Sequence, residues 1–174
     1  MVNLDDVKNS IPEFAKDIKL NFSSLIINSE EDDELLLGCA YASALALDSQ
    51  GLISVFENEA RARVSDDFIQ AVKSTVAIMT LNNIWYKYRD SLPNGEMKTA
   101  AQRMRVNIMR DHAGLNKILF ESISLCISAV NGCTFCVKAH SNLLLDNGKS
   151  KDYVLNIGRI ASVIVATDKA IKMN

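Results

Sequence analysis

The segment NGCTFCVKAH, residues 131–140, holds two cysteines three apart, Cys133 and Cys136, and a histidine, His140, four residues beyond the second. Asn131-Gly132 stops one predicted helix and lets another begin, so Cys133 falls at or beside an N-cap and Cys136 in the first turn. First-turn N–H groups lack intrahelical partners and carry partial positive charge, which favours a thiolate, the reactive form of cysteine. Residues i and i+3 of a helix have Cα atoms about 5 Å apart, within the range a disulfide spans. His140 lies one turn past Cys136 on the same face, where a neutral imidazole can accept a thiol proton.

A fourth group joins by helix arithmetic. With the helices on either side of the turn packed antiparallel, His140 lies roughly 10 Å back from the turn and Glu121 roughly 14 Å back. Glu121 can then orient and polarise His140 in a relay Glu121–His140–Cys136–Cys133. Its neighbours Ile118, Leu119, Ile123 and Leu125 are apolar, so its carboxylate is expected to be only partly hydrated. Three readings of the cysteine pair stand at this point: a redox disulfide, a zinc site with Cys133, Cys136 and His140 as ligands, and two thiols packed at a helix start. A structural zinc site wants a fourth ligand, and no second C-x-x-C or H-x-H follows. Haem attachment through C-x-x-C-H is excluded by Val137, and a thioredoxin-like setting by the lack of a βαβ pattern. Cys39 and Cys126 stand alone and read as core residues. His112 reads as a surface residue after a helix end, and Trp85, Tyr86 and Tyr88 as packing groups on a long helix.

The elements that must hold these residues read as helices. Only 7 Gly and 2 Pro punctuate the 174 residues, and no stretch alternates apolar and polar side chains as a half-buried strand does. We read residues 1–174 as a single all-α domain, a helical bundle. Pro12 suits a first turn, and Phe14, Ile18, Phe22 and Leu25 line one face of the helix after it. A helix rich in small residues follows over DELLLGCAYASALAL and ends at Gln50-Gly51; LISVFENEARAR makes a shorter one. Ser65 caps a long helix with Ile69, Val72, Val76 and Met79 as its apolar stripe and Pro93-Asn94-Gly95 at its end. A short helix is expected near 99–109, then a loop through His112 and Gly114. Asn116 caps the helix that carries Glu121. The motif helix runs to Asn147-Gly148, and a last helix is apolar on most sides from Tyr153 to Ala166, as helices buried in their own domain or against another subunit are.

Composition narrows the function. With 19 basic against 21 acidic residues and a net charge of −2, the basic footprint of a nucleic-acid binder is missing. MVNLDDVKNS lacks the charged and apolar regions of a signal peptide, and no apolar run reaches membrane-spanning length. The expected location is the cytoplasm, without nucleic acid or membrane as partner. Structural disulfides are rare there, so the four cysteines are either buried thiols or functional ones.

The spacing E-x11-C-x-x-C-x3-H, with AVNGC leading into it, resembles the alkyl hydroperoxide reductase D (AhpD-like) family of the wider carboxymuconolactone decarboxylase group. IPEFAKDIKLNFSSLI, AIMTLNNIWYKYR and MRVNIM are also similar to that family, so the resemblance spans essentially the whole chain. It implies an all-α bundle that assembles as a homotrimer, and an antioxidant thiol–disulfide oxidoreductase with no bound cofactor and no metal. Such an enzyme takes electrons from dihydrolipoamide on a lipoylated acyltransferase, passes them to a peroxiredoxin and weakly reduces hydroperoxides itself. Position by position, Cys133 and Cys136 match the redox cysteines, with Cys136 passing through a sulfenic acid and Cys133 resolving it; His140 and Glu121 match the relay. One position departs: the family often carries a histidine directly before the second cysteine, and Phe135 stands here. The alternative is a non-catalytic helical oligomer whose C-x-x-C binds zinc or merely packs.

Overall fold

The computed structural model describes residues 2–93 and 95–174. Ten α-helices follow one another among them, with no strand, as the all-α reading expects. Helix α1 (Leu4–Ser10) is one that apolar spacing does not announce. A capping box makes it: Asn3 accepts from the Asp6 N–H while the Asp6 side chain accepts from the Asn3 N–H. Pro12 opens a 3₁₀ turn at Glu13–Ala15, which leads into α2 (Lys16–Phe22) and a wider π-helical turn at Ser23–Ile27. Phe22 is fully buried, but Phe14 is 67% exposed, because the 3₁₀ turn rotates it off the face that a single helix would give it.

Helix α3 (Asp33–Ala46) is buried from Leu35 to Ala44. Its small side chains let neighbouring helices close in. A Cβ at Gly38 would stand 2.8 Å from Ile123 Cδ1 and 3.1 Å from the Phe68 ring, so a larger residue here would have to displace those side chains. The helix stops at Leu47–Ser49, with Asp48 left-handed at φ 51°. Gln50-Gly51 therefore begins α4 (Gln50–Arg63) rather than ending α3.

Ser65 caps α5 (Asp66–Asp90), its side chain accepting from the Phe68 N–H; Ile69, Val72 and Met79 are buried and Val76 half-buried. The expected stop at Pro93-Asn94-Gly95 includes Asn94, which lies outside the described residues. No helix spans 99–109. Two single turns, α6 (Gly95–Lys98) and α7 (Ile108–Asp111), bracket an irregular stretch; its Gln102, with Met109 of α7, reaches instead toward Asn82 of α5.

Helix α8 (Lys117–Val130), capped by Asn116, is buried continuously from Leu119 to Ser128. It packs against α3, α5, α9 (Thr134–Asp146) and α10 (Lys151–Lys172), which makes α3 and α8 the centre of the bundle. Phe120, Ile123 and Ile127 are fully buried there, each stabilising the fold by roughly 1.5–3 kcal/mol. On α10, Ile157, Ile160, Ala161 and Ile164 face the core while Leu155 is exposed. Among the described residues, no single helix is long and apolar enough to cross a membrane.

Candidate active site

The turn between α8 and α9 is built by backbone rules. The Cys133 N–H donates to Ser128 O (2.9 Å) and the Gly132 N–H to Ala129 O (3.1 Å), the paired bonds of a Schellman C-cap. That motif needs a left-handed residue, and Gly132 supplies it at φ +65°. Helix α5 pins the turn from outside. Asn83 Nδ2 donates to Ser128 Oγ (3.1 Å), Asn131 Nδ2 donates to Asn83 Oδ1 (3.0 Å), and Lys87 Nζ donates to Asn131 O (3.0 Å).

Cys133 is the N-cap of α9, as its position after Asn-Gly predicts, and its Sγ accepts from the Cys136 N–H at 3.3 Å. A sulfur placed so is stabilised as thiolate when the disulfide opens. The two cysteines are joined, with Cα atoms 5.3 Å apart, and both are buried. One turn on, His140 Nδ1 lies 2.5 Å from Glu121 Oε2 across the α8–α9 interface. Both side chains are nearly withdrawn from water, in a setting where a charge-assisted hydrogen bond is at its strongest. The helix arithmetic that put these two residues at similar heights thus describes the packing. The structure brings together all four residues singled out by spacing. Among the described residues, no group of three or more His, Cys, Asp or Glu is arranged to hold a metal ion.

A cavity of about 330 Å³ opens onto Cys136 and His140. Its walls are mainly apolar, from Met79 and Tyr86 of α5, Val106 of the irregular stretch, Met109 of α7, and Phe135 and Ala139 of α9; Asn82 and Gln102 add two amides. The amides are tied to each other, Gln102 Nε2 donating to Asn82 Oδ1 at 2.9 Å. Sequence reasoning misses this wall. Tyr86, expected only to pack, lines the cavity and stacks on Phe135 with ring centroids 4.7 Å apart. The signal available in the sequence is Phe135 itself, an aromatic between two cysteines that the structure leaves 43% exposed.

The remaining cysteines lie behind the site. Cys39 and Cys126 are free and fully buried. Cys126 donates to Cys39 O at 3.4 Å, and Ser43 Oγ lies 3.2 Å from Cys126 Sγ. The hydrogen bond with Cys126, and then burial, push the Cys39 thiol well above the usual range, which keeps it protonated and unreactive. His112 is half-buried rather than on the surface, its ring tilted against Phe120 at 5.4 Å.

Known proteins resemble this chain along nearly all of it. The model of the carboxymuconolactone decarboxylase family matches residues 95–173, which contain Glu121, Cys133, Cys136 and His140. Alkyl hydroperoxide reductase AhpD of Streptomyces griseus is 38% identical over 163 residues, 94% of this chain and 92% of that one. The protein of that name in Maricaulis maris is 37% identical over 165 residues, 95% of each chain. That of Coxiella burnetii is 34% identical over 164 residues, 92% of each. Such identity, sustained over more than nine tenths of the chain, leads to one conclusion: the chain belongs to the alkyl hydroperoxide reductase D family.

Proposed function

We propose that this protein is a cytoplasmic antioxidant thiol–disulfide oxidoreductase whose Cys133–Cys136 pair carries electrons from dihydrolipoamide, on a lipoylated acyltransferase, to a partner peroxiredoxin, and that it weakly reduces hydroperoxides directly. The observation that carries this reading is the buried Glu121–His140 contact of 2.5 Å beside a disulfide at a helix N-cap. Relatives named alkyl hydroperoxide reductase AhpD support it.

In the reductive half, one thiolate of the dithiol attacks a sulfur of the disulfide and expels the other cysteine. The second thiol then closes a cyclic disulfide and releases the remaining cysteine, so two electrons and two protons pass to Cys133 and Cys136. His140, opening into the same cavity as Cys136, gives and takes the Cys136 proton. Glu121 holds the imidazole in place and stabilises it when charged. In the oxidative half, the dithiol reduces the peroxiredoxin disulfide by the same exchange run in reverse. With a hydroperoxide, the Cys136 thiolate takes the distal oxygen, an alcohol leaves, and Cys133 condenses with the sulfenic acid to give the disulfide and water.

We further propose a homotrimer. A hollow of about 450 Å³ runs along α8 and α10 past Ala129, Val130, Ala161, Val165 and Ala166, the kind of small-residue apolar face that another subunit covers.

The test of the site is a count of thiols before and after mild oxidation, with peptide mapping and metal analysis of the purified protein. Reversible loss of two thiols, mapped to a 133–136 link with Cys39 and Cys126 reduced, is the expected result. Stoichiometric zinc, or a dominant bond through Cys39 or Cys126, overturns the reading.

A further inference from the structure

Phe135 is a large aromatic, substantially exposed, directly between two buried sulfurs. It is held from one side. The Tyr86 ring stacks on it with planes 20° apart, and the Arg89 guanidinium lies 4.7 Å from the Tyr86 centroid and 5.2 Å from that of Phe135. Arg89 Nε is buried without a hydrogen-bond partner, so ring stacking, rather than hydrogen bonding at Nε, seats this part of the side chain. A cation over ring faces favours a neutral aromatic. A protonated imidazole in the place of Phe135 would instead meet like charge.

Phe135 is also the shared wall of two different openings. On one side is the apolar cavity that ends at Cys136 and His140. On the other is a smaller hollow of about 240 Å³, lined by Lys87, Asp90, Ser91 and Thr134, that ends at Cys133. The disulfide thus has an apolar approach and a charged one, divided by a single ring.

We propose that Phe135, clamped by Tyr86 and Arg89, is a specificity-determining residue: it makes the Cys136 approach select reactants carried on an apolar chain over small polar ones. Each methylene that such a chain buries against the wall is worth roughly a fourfold gain, and two of them exceed tenfold. A small polar reactant gains nothing from the ring. The proposal rests on Cys133–Cys136 being the redox pair, and it assigns to this chain a preference that a histidine before the second cysteine would not create in the same way.

The test follows reduction of the oxidised protein by two dithiols, dihydrolipoamide and dithiothreitol, under anaerobic conditions, by acid quenching, separation of the protein from the dithiol and titration of the protein's thiols. Either dithiol is oxidised to its cyclic disulfide as the protein gains two thiols, and comparing variants cancels the intrinsic difference in reactivity between the two dithiols. The readout is the ratio of the two second-order rate constants. In Phe135→Ser the ratio of dihydrolipoamide to dithiothreitol is expected to fall by about tenfold, the equivalent of about 1.4 kcal/mol. Tyr86→Leu, which leaves the ring but removes its clamp, is expected to lower it by a smaller factor, and it keeps the test readable should Phe135→Ser fail to fold. A ratio unchanged within about twofold in the folded variants, or both rates falling in parallel, overturns the proposal. Neither peroxide nor peroxiredoxin enters the assay, so failure of the wider electron-transfer reading leaves this ratio measurable and separately decided.

Discussion

Glu121→Gln isolates the contribution of one charge. The substitution keeps the shape of a buried side chain and leaves an oxygen for His140 Nδ1, which sits 2.5 Å away in the native protein. It removes only the negative charge that faces the imidazolium formed when His140 takes a thiol proton. Two unit charges about 4 Å apart interact by about 4 kcal/mol at the effective dielectric that suits protein sites. With about half of that expressed at the transition state, turnover falls about 30-fold. Stability falls less, by about 1–2 kcal/mol for a charge-assisted bond replaced by a neutral one. His140→Phe is expected to slow turnover comparably, and the double variant little more than the worse single one, because the pair acts as a unit. The assay is the rate of peroxiredoxin reduction from dihydrolipoamide across pH for each purified, folded variant. Native rates in Glu121→Gln would refute a relay that includes Glu121.

Three other outcomes are expected. Gly38→Val drives a branched side chain into Ile123 and Phe68 and should lower stability by about 1–3 kcal/mol in denaturant melts; a native midpoint would contradict the close α3–α8 approach. Tyr41 OH donates to Glu57 Oε2 at 2.8 Å, and that bond, then Arg61, holds the Glu57 carboxyl below its usual range. The stabilisation is present above the ordinary value of 4.5 and lost as pH falls through the folded value. Tyr41→Phe should therefore cost about 1 kcal/mol near neutral pH and progressively less in acid, a pattern that melts at several pH values would reveal or rule out. Sedimentation should find a trimer at micromolar concentration, where monomer alone would count against the subunit face on α8 and α10.

What the sequence discloses of this site is what lies on two consecutive helices. Asn131-Gly132 marks the turn, helix rise puts Glu121 opposite His140, and the C-x-x-C spacing places both sulfurs at one helix end, so the four residues are legible from local rules. The cavity beside them is not. Tyr86 comes from the last turns of α5, Gln102 and Val106 from a stretch without regular structure, and Met109 from the single turn α7. Their meeting with Phe135 is a tertiary event that no local period encodes. The errors at the helix ends have local causes. Gln50-Gly51 looks like a stop, but the chain turns two residues before Gln50, through left-handed Asp48. Residues 99–109 carry enough apolar side chains for a helix, yet they are spent on reaching α5. Helix α1 was readable from its capping box, Asn3 with Asp6, rather than from its apolar pattern.

The most direct test of the account is a reconstituted assay of hydroperoxide reduction with dihydrolipoamide as the electron source and a peroxiredoxin as acceptor, run with and without this protein. Turnover that requires the protein, and that Cys133→Ser and Cys136→Ser each abolish while the fold persists, is the predicted result. Turnover at the same rate without the protein, or undiminished in either serine variant, would contradict a Cys133–Cys136 pair that carries the electrons.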